Sequence, residues 1–330
     1  MHKFDILYTI NKNYIDIFLV SLYSFLKNSK IEDLRVHLIT SDFKEEDYNR
    51  IEKFISIYDN VEIYFYPLEE FNIEKYNIPN WRGSQIANAR LFFQDILKDN
   101  LKDITSLLYL DSDTITVGDI NDIRNYKEAV YAVKDGGLKE YSKSLNLDRY
   151  YNSGVIYIDI EDWLSKEYQE RILHLINKTE INLTFPDQDI LNCAIGTSIK
   201  ELPLSYNLLS TAYKLNSFLA RIYFNSNKRN ISYEEIEIAK KAPKILHGYG
   251  LGTIKPWSSN INPYYNIFIN YMKQIKSDYV PQDIVELGIT AKLPEDLYNL
   301  VIALRPYAPS VVKQGIKKLV NNYYYKHKIK

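Results

Sequence analysis

The sequence predicts an α/β protein: a mixed, mainly parallel sheet flanked by helices, followed by a helical C-terminal extension. Three observations lead there. Apolar, β-prone runs at residues 4–10, 35–40 and 61–66 alternate with helix-period segments, as expected of strands that need helical crossovers to lie parallel. A further apolar run at 104–110 ends abruptly on Asp111-Ser112-Asp113, as a buried strand does where it meets solvent. Beyond about residue 263 the pattern is helical and strand signals cease.

Taken in order, residues 4–10 form the first strand and 11–13 a polar turn. The first helix carries Ile15, Phe18, Leu19, Leu22, Phe25 and Leu26 on one face. Residues 41–45 open a second helix that presents Ile51, Phe54 and Ile55. A loop over 67–81 leads to a helix over 84–97, then the strand before the aspartates and another at 129–133. The next strand is 155–159, followed by a helix near 162–177. Pro186 opens a short helix, and a strand at 244–246 delivers His247 to another edge. The boundary falls at residue 260, with 1–260 as the α/β domain and 261–330 as the extension.

Bulk properties exclude several classes. Of the 330 residues 46% are hydrophobic and 25% charged, which is ordinary for a globular protein. A net charge of −1 gives no electrostatic case for nucleic acid. Cys193 is the only cysteine, which rules out an internal disulfide and fits a reducing compartment. Its neighbours Ile190, Leu191, Ala194 and Ile195 place it on a buried helix face as an inert thiol. No apolar run reaches the roughly 20 residues of a membrane span. The N-terminus lacks the apolar core of a signal peptide, so a cytoplasmic location is expected. The last 26 residues carry seven Lys or Arg and no acid. With Val311, Val312, Ile316, Leu319, Val320 and Tyr323 on one face, residues 305–330 suit either peripheral contact with an anionic membrane or a docked helix.

The chemistry gathers at Asp111 and Asp113. Residues two apart on a strand face the same way, and ligands of open α/β sheets bind just beyond the carboxyl edge. Two like charges so close favour a divalent cation that shares its coordination with phosphate oxygens. The plain alternative is an Asp-x-Asp surface turn. The buried strand directly before the pair argues for the metal.

Six segments recur in an order that resembles the retaining glycosyltransferases of family 8, of the bacterial lipopolysaccharide galactosyltransferase type. They are Tyr8-Thr-Ile-Asn11, Asn88-Ala-Arg90, Leu108-Tyr-Leu-Asp-Ser-Asp113, Tyr151-Asn-Ser-Gly154, Pro186-Asp-Gln-Asp-Ile-Leu-Asn192, and His247 with Lys255-Pro-Trp257. The resemblance covers roughly residues 3–260 and implies the GT-A (Rossmann-like) fold. It further implies that Asp111, Asp113 and His247 bind Mn²⁺ (or Mg²⁺) together with the UDP diphosphate, with Ser112 between the acids. Lys255 would contact the diphosphate, and Gly250 would lend flexibility to the loop that closes over it. Tyr8, Thr9, Asn11 and Asn13 would receive uracil and ribose, with Asn11 standing where the family commonly has an aspartate. Arg90 would reach the sugar phosphate and the metal-binding carboxylates. Asp135 and Asn152 would surround the donor sugar, while Asp187 and Gln188 lie beside its anomeric carbon.

The implied activity is transfer of galactose or glucose from UDP-galactose or UDP-glucose to a glycan, glycolipid or glycoprotein acceptor. An amide at Gln188 is a poor nucleophile, which favours substitution on the same face as the departing diphosphate. Two other readings compete. A sugar nucleotidyltransferase would need a glycine- and arginine-rich phosphate loop near the N-terminus, which is missing. A non-catalytic glycan-binding or scaffold subunit would have no need of Asp111, Asp113, His247 and Gln188 together.

Overall fold

The computed structural model describes residues 3–80, 84–136, 142, 144–178, 183–225, 231–249, 254–260, 262–281 and 299. Ten strands are described: β1 (Phe4–Asn11), β2 (Leu34–Ser41), β3 (Val61–Pro67), β4 (Ser106–Leu110), β5 (Thr114–Thr116), β6 (Val130–Lys134), β7 (Tyr151–Asp159), β8 (Lys200–Glu201), β9 (Leu208–Leu209) and β10 (Ile245–His247). Seven form one sheet in the order β3-β2-β1-β4-β7-β6-β8. The first four lie parallel, and β7 runs antiparallel to both β4 and β6. Three short strands make a second sheet, β5-β10-β9.

Both faces of the large sheet are covered, and the strands show it residue by residue. Phe4, Ile6, Tyr8 and Ile10 of β1 enter one apolar core, whereas Leu7 enters the other. On β4, Leu108 and Leu110 face the first core and Leu107 and Tyr109 the second. Side chains alternate across a strand, so a sheet buried on both sides is apolar along most of each strand, with Asp5 and Thr9 of β1 as buried polar exceptions.

Helix α1 (Ile15–Asn28) buries Ile15, Phe18, Leu19, Leu22 and Phe25, the i, i+3, i+4, i+7 spacing of one helical face. Phe18 meets Tyr8 edge-on with ring centroids 5.0 Å apart. The remaining α-helices among the described residues include α2 (Glu45–Ile55), α3 (Phe93–Leu97), α4 (Ile160–Ser165), α5 (Tyr168–Lys178), α6 (Pro186–Ile195), α7 (Ser210–Lys214), α8 (Ser217–Asn225), α9 (Tyr233–Lys241) and α10 (Tyr265–Ile275). α10 returns to α1, where Asn28 Nδ2 donates to the Tyr271 hydroxyl at 2.7 Å.

Several boundaries differ from the sequence expectation. The segment expected as a helix over 84–97 is a 3₁₀ stretch, Ile86–Phe92, with only one α-helical turn after it. The helix expected near 162–177 is two helices, broken where Glu167 adopts a positive φ of 52°. β7 begins at Tyr151, so Asn152, Ser153 and Gly154 lie within the strand. The late strand ends on His247 itself. Cys193 is half-buried rather than buried, and burial still pushes its thiol up to about 11. No described helix is long and apolar enough to cross a membrane. The basic segment 305–330 lies outside the described residues.

Candidate active site

β4 ends at Leu110, and strand alternation does not carry through the acidic motif. Asp111 N–H donates to Gly154 O at 2.8 Å, while Thr114 N–H and Oγ1 bond back to Asp111 O at 3.1 and 2.8 Å. This turn, rather than an extended strand, brings Asp113 round to Asp111. β5 then starts at once and pairs antiparallel with β10, with Thr114 opposite His247. Gly248 N–H closes the ladder on Asp113 O at 2.8 Å.

The result is a cluster of Asp111, Asp113 and His247 whose ligand atoms all lie within 4.8 Å of one another. His247 Nε2 is 3.2 Å from Asp113 Oδ1 and 3.6 Å from Asp111 Oδ2. A Cβ on Gly154 would come within 2.2 Å of His247 Cε1 and 2.8 Å of Asp111 Oδ2. Glycine therefore keeps the cradle open. Two carboxylates and an imidazole suit Mn²⁺ or Mg²⁺, and the residues present fit such an ion.

Two cations balance the acids. Arg90 is buried, with Nη2 2.9 Å from Asp111 Oδ1 and Nη1 3.4 Å from Asp187 Oδ2. Its Nη1 also donates to Ser153 O at 2.8 Å, and the guanidinium lies 4.4 Å from the centroid of the Tyr109 ring. Burial works to lower the Arg90 pKa, but Asp111 and Asp187 overcome it and hold the group firmly protonated. Lys255 Nζ donates to Asp113 Oδ2. Burial works to raise the Asp113 pKa, yet Lys255 and His247 hold its carboxyl well below the usual range.

Beside this cluster lies a buried polar group from β6, β7 and α6. Asp135 Oδ2 accepts from Asn152 Nδ2 and Gln188 Nε2, each at 3.1 Å. Gln188 Oε1 accepts from Ser153 N–H at 3.0 Å, and Ser153 Oγ donates to Asp187 Oδ2 at 2.9 Å. In α6, Asp189 Oδ2 takes the N–H groups of Thr184 and Phe185. The capping duty falls to Asp189, which leaves Asp187 and Gln188 directed at the site.

The description "Glycosyl transferase family 8" matches residues 5–262, most of the chain. The chain belongs to glycosyltransferase family 8. General stress protein A of Bacillus subtilis is 27% identical over 77% of this chain and 87% of its own length. A lipopolysaccharide 1,3-galactosyltransferase of Salmonella typhimurium is 26% identical over 78% of this chain and 74% of its own. Among solved structures, galactosyltransferase LgtC in complex with donor and acceptor sugar analogs superimposes with a TM-score of 0.67 at 18% identity. The match covers 84% of this chain and 98% of that one. The likeness is one of fold, GT-A.

Within this family 8 chain, the structure brings Arg90, Asp111, Asp113, Asp135, Asn152, Asp187, Gln188, His247 and Lys255 into one continuous network. Ser112 is buried between the acids. Thr9 Oγ1 reaches the Tyr109 hydroxyl at 3.1 Å. Tyr8 departs from expectation: its side chain is fully buried and bonds Ser21 Oγ at 3.1 Å, so only its backbone is available to a ligand. Asn11 caps the following 3₁₀ turn by accepting from Asn13 N–H at 3.1 Å, and Asn13 is exposed. Gly250 lies outside the described residues.

Two members of the site went unrecognised in the sequence. Tyr109 donates to Asp111 Oδ1 at 2.7 Å. Its place near the end of β4, two positions before Asp111, was a usable signal. Asn207 meets His247 Nδ1 at 2.9 Å. It comes from the turn before β9, and nothing in its neighbourhood marks it.

Proposed function

We propose that the protein transfers a hexose, galactose or glucose, from a UDP-sugar to a glycan acceptor, with retention of configuration and in the presence of Mn²⁺ (or Mg²⁺). The observation that carries this reading is the close approach of Asp111, Asp113 and His247 beside the Asp135, Asn152, Asp187 and Gln188 cluster. Asp111, Asp113 and His247 would hold the metal, which supplies compensation for negative charge gathering on the departing diphosphate. Lys255, hydrogen-bonded to Asp113, offers a flexible cation to the same phosphate. Arg90 holds Asp111 and Asp187 in fixed relation. Thr9, Asn11, Asn13 and the Tyr8 backbone would receive the uracil and ribose.

Asp135 and Asn152 would bind donor-sugar hydroxyls. Gln188 Oε1 already accepts from Ser153 N–H, and an amide is a weak nucleophile. Both points support same-face substitution, in which the departing diphosphate takes the proton of the acceptor hydroxyl. Asp187 and Gln188 then stabilise positive charge at the anomeric carbon. The acceptor class is a lipooligosaccharide, capsule or surface-glycoprotein glycan, and the enzyme works at the cytoplasmic face of a membrane with residues 305–330 as a peripheral contact. Deletion of residues 306–330 should then weaken sedimentation with anionic liposomes, and unchanged sedimentation removes that contact.

Replacing Asp111→Asn together with Asp113→Asn tests the central reading. The variant should keep the far-ultraviolet circular dichroism of the wild type and lose Mn²⁺-dependent UDP release from UDP-galactose or UDP-glucose. Release at the wild-type rate rejects the assignment.

A further inference from the structure

Which nitrogen of His247 carries the proton is decided by a chain of hydrogen bonds that begins at a backbone amide. Gly154 N–H can only donate, and its partner is Asn152 Oδ1 at 3.0 Å. That end of the Asn152 amide is therefore oxygen. The other end agrees independently. It lies 3.1 Å from Asp135 Oδ2 and 3.2 Å from Gln188 Oε1, and Gln188 Oε1 is itself identified by the donor Ser153 N–H.

Asn152 Oδ1 is 2.8 Å from Asn207 Nδ2. Turning the Asn207 amide over would set two carbonyl oxygens at that separation with no proton between them. Asn207 Oδ1 must then face His247, 2.9 Å from Nδ1, and Nδ1 must be the donor. Asn152, Asn207 and His247 are 3%, 1% and 2% exposed, so bulk water supplies no alternative partner. With Nδ1 committed to Asn207, Nε2 is the nitrogen that faces the Asp111 and Asp113 oxygens, at 3.6 and 3.2 Å, where a shared cation would lie between them.

We propose that Asn207 is a positioning residue that holds His247 in the Nδ1–H tautomer and so keeps Nε2 ready to ligate a divalent cation. The proposal rests on the metal reading given above and deepens it. Asparagine is suited to this position because one short side chain presents an acceptor to the imidazole and a donor to Asn152. Leucine, of similar size, offers neither. Because Asn152 also binds Asp135 and Gln188, the metal side and the sugar side of the site share one set of hydrogen bonds. A metal-bound histidine commonly owes its orientation to the partner on its other nitrogen.

The test uses ¹⁵N-labelled, metal-free protein in mildly alkaline buffer. Long-range ¹H–¹⁵N correlation spectra report the tautomer, with the His247 signals assigned by their loss in His247→Asn. Mn²⁺ affinity is read from the electron paramagnetic resonance of the free ion. The wild type should show the Nδ1–H form. Asn207→Leu should move the population towards Nε2–H and weaken Mn²⁺ binding about 10- to 100-fold. A wild-type His247 with a proton on Nε2 and none on Nδ1 overturns the proposal, as does a folded Asn207→Leu variant with unchanged Nδ1 protonation and affinity. If that variant does not fold, the wild-type spectrum decides alone. Wild-type protein that shows the Nδ1–H form yet binds no Mn²⁺ overturns the metal reading and leaves the tautomer assignment standing.

Discussion

Gly154→Ala places a single methyl group where the structure has no room for one. The added Cβ would sit 2.2 Å from His247 Cε1 and 2.8 Å from Asp111 Oδ2, whereas ordinary contact begins at 3.4 Å. Neither neighbour retreats easily. The imidazole is buried and bonded to Asn207, and Asp111 is tied to Arg90 and to the Tyr109 hydroxyl. The strand cannot slide either, because Gly154 O accepts from Asp111 N–H at 2.8 Å. Overpacking of this kind costs about 1–3 kcal/mol. Moving a reacting or metal-binding group by roughly 1 Å costs on the order of 100-fold in rate. The expected outcome is a folded protein with a lowered melting temperature and Mn²⁺-dependent UDP release reduced about 100-fold. Thermal denaturation and a coupled UDP assay measure the two effects. A Gly154→Ala enzyme with wild-type Mn²⁺ affinity and turnover would refute the packing of His247 and Asp111 around this glycine.

Arg90→Lys keeps the charge but loses the planar fork that reaches Asp111, Asp187 and Ser153 O together. It should lower unfolding free energy by about 1.5–3 kcal/mol in urea, and an unchanged urea midpoint would show that a single point charge suffices. Asp189→Ala takes an acceptor from the Tyr150 hydroxyl and from the Thr184 and Phe185 N–H groups. A loss of at least about 2 kcal/mol is expected by denaturant titration, and a change within error would deny the capping role. Burial raises the Cys193 pKa to about 11, so at neutral pH the group is a thiol and not the reactive thiolate. Iodoacetamide should label it more slowly than glutathione in a parallel reaction, with the rate climbing as pH approaches that value. Equal rates by intact mass would contradict the assigned environment.

All strands of the large sheet except the two-residue β8 were legible, because burial on both faces demands mostly apolar runs, as at residues 4–10 and 104–110. The beginning of β7 was not. Asn152, Ser153 and Gly154 look like a loop, and they are polar because they serve the site while their backbone remains in the ladder. The 3₁₀ stretch Ile86–Phe92 has helix-like apolar spacing, and no sequence signal separates it from an α-helix. β5 and β9 have three and two residues, too few to show any period. Of the small sheet only the strand that delivers His247 was legible, and His247 itself was recognised through its similarity to a family motif. Asp111 and Asp113 come together as the sequence predicts, but a turn and not strand alternation joins them. Tyr109 is hard to recognise because a phenol inside an apolar run reads as packing. Asn207 shows its purpose only once a partner 40 residues away is folded against it.

The antiparallel pairing of β5 with β10 has a consequence for how such a molecule can vary. The two halves of the candidate metal cluster are fastened to each other by main-chain bonds, from Lys244 O to Val117 N–H through to Asp113 O and Gly248 N–H. Main-chain bonds are indifferent to side-chain identity. The 128 residues between those strands can lengthen, shorten or reshape their loops without loosening the buckle, provided the residues that face it are kept. On the proposed reading, a change of acceptor and a loss of the ion are thereby separable events, and one chemistry could be carried unchanged from sugar to sugar.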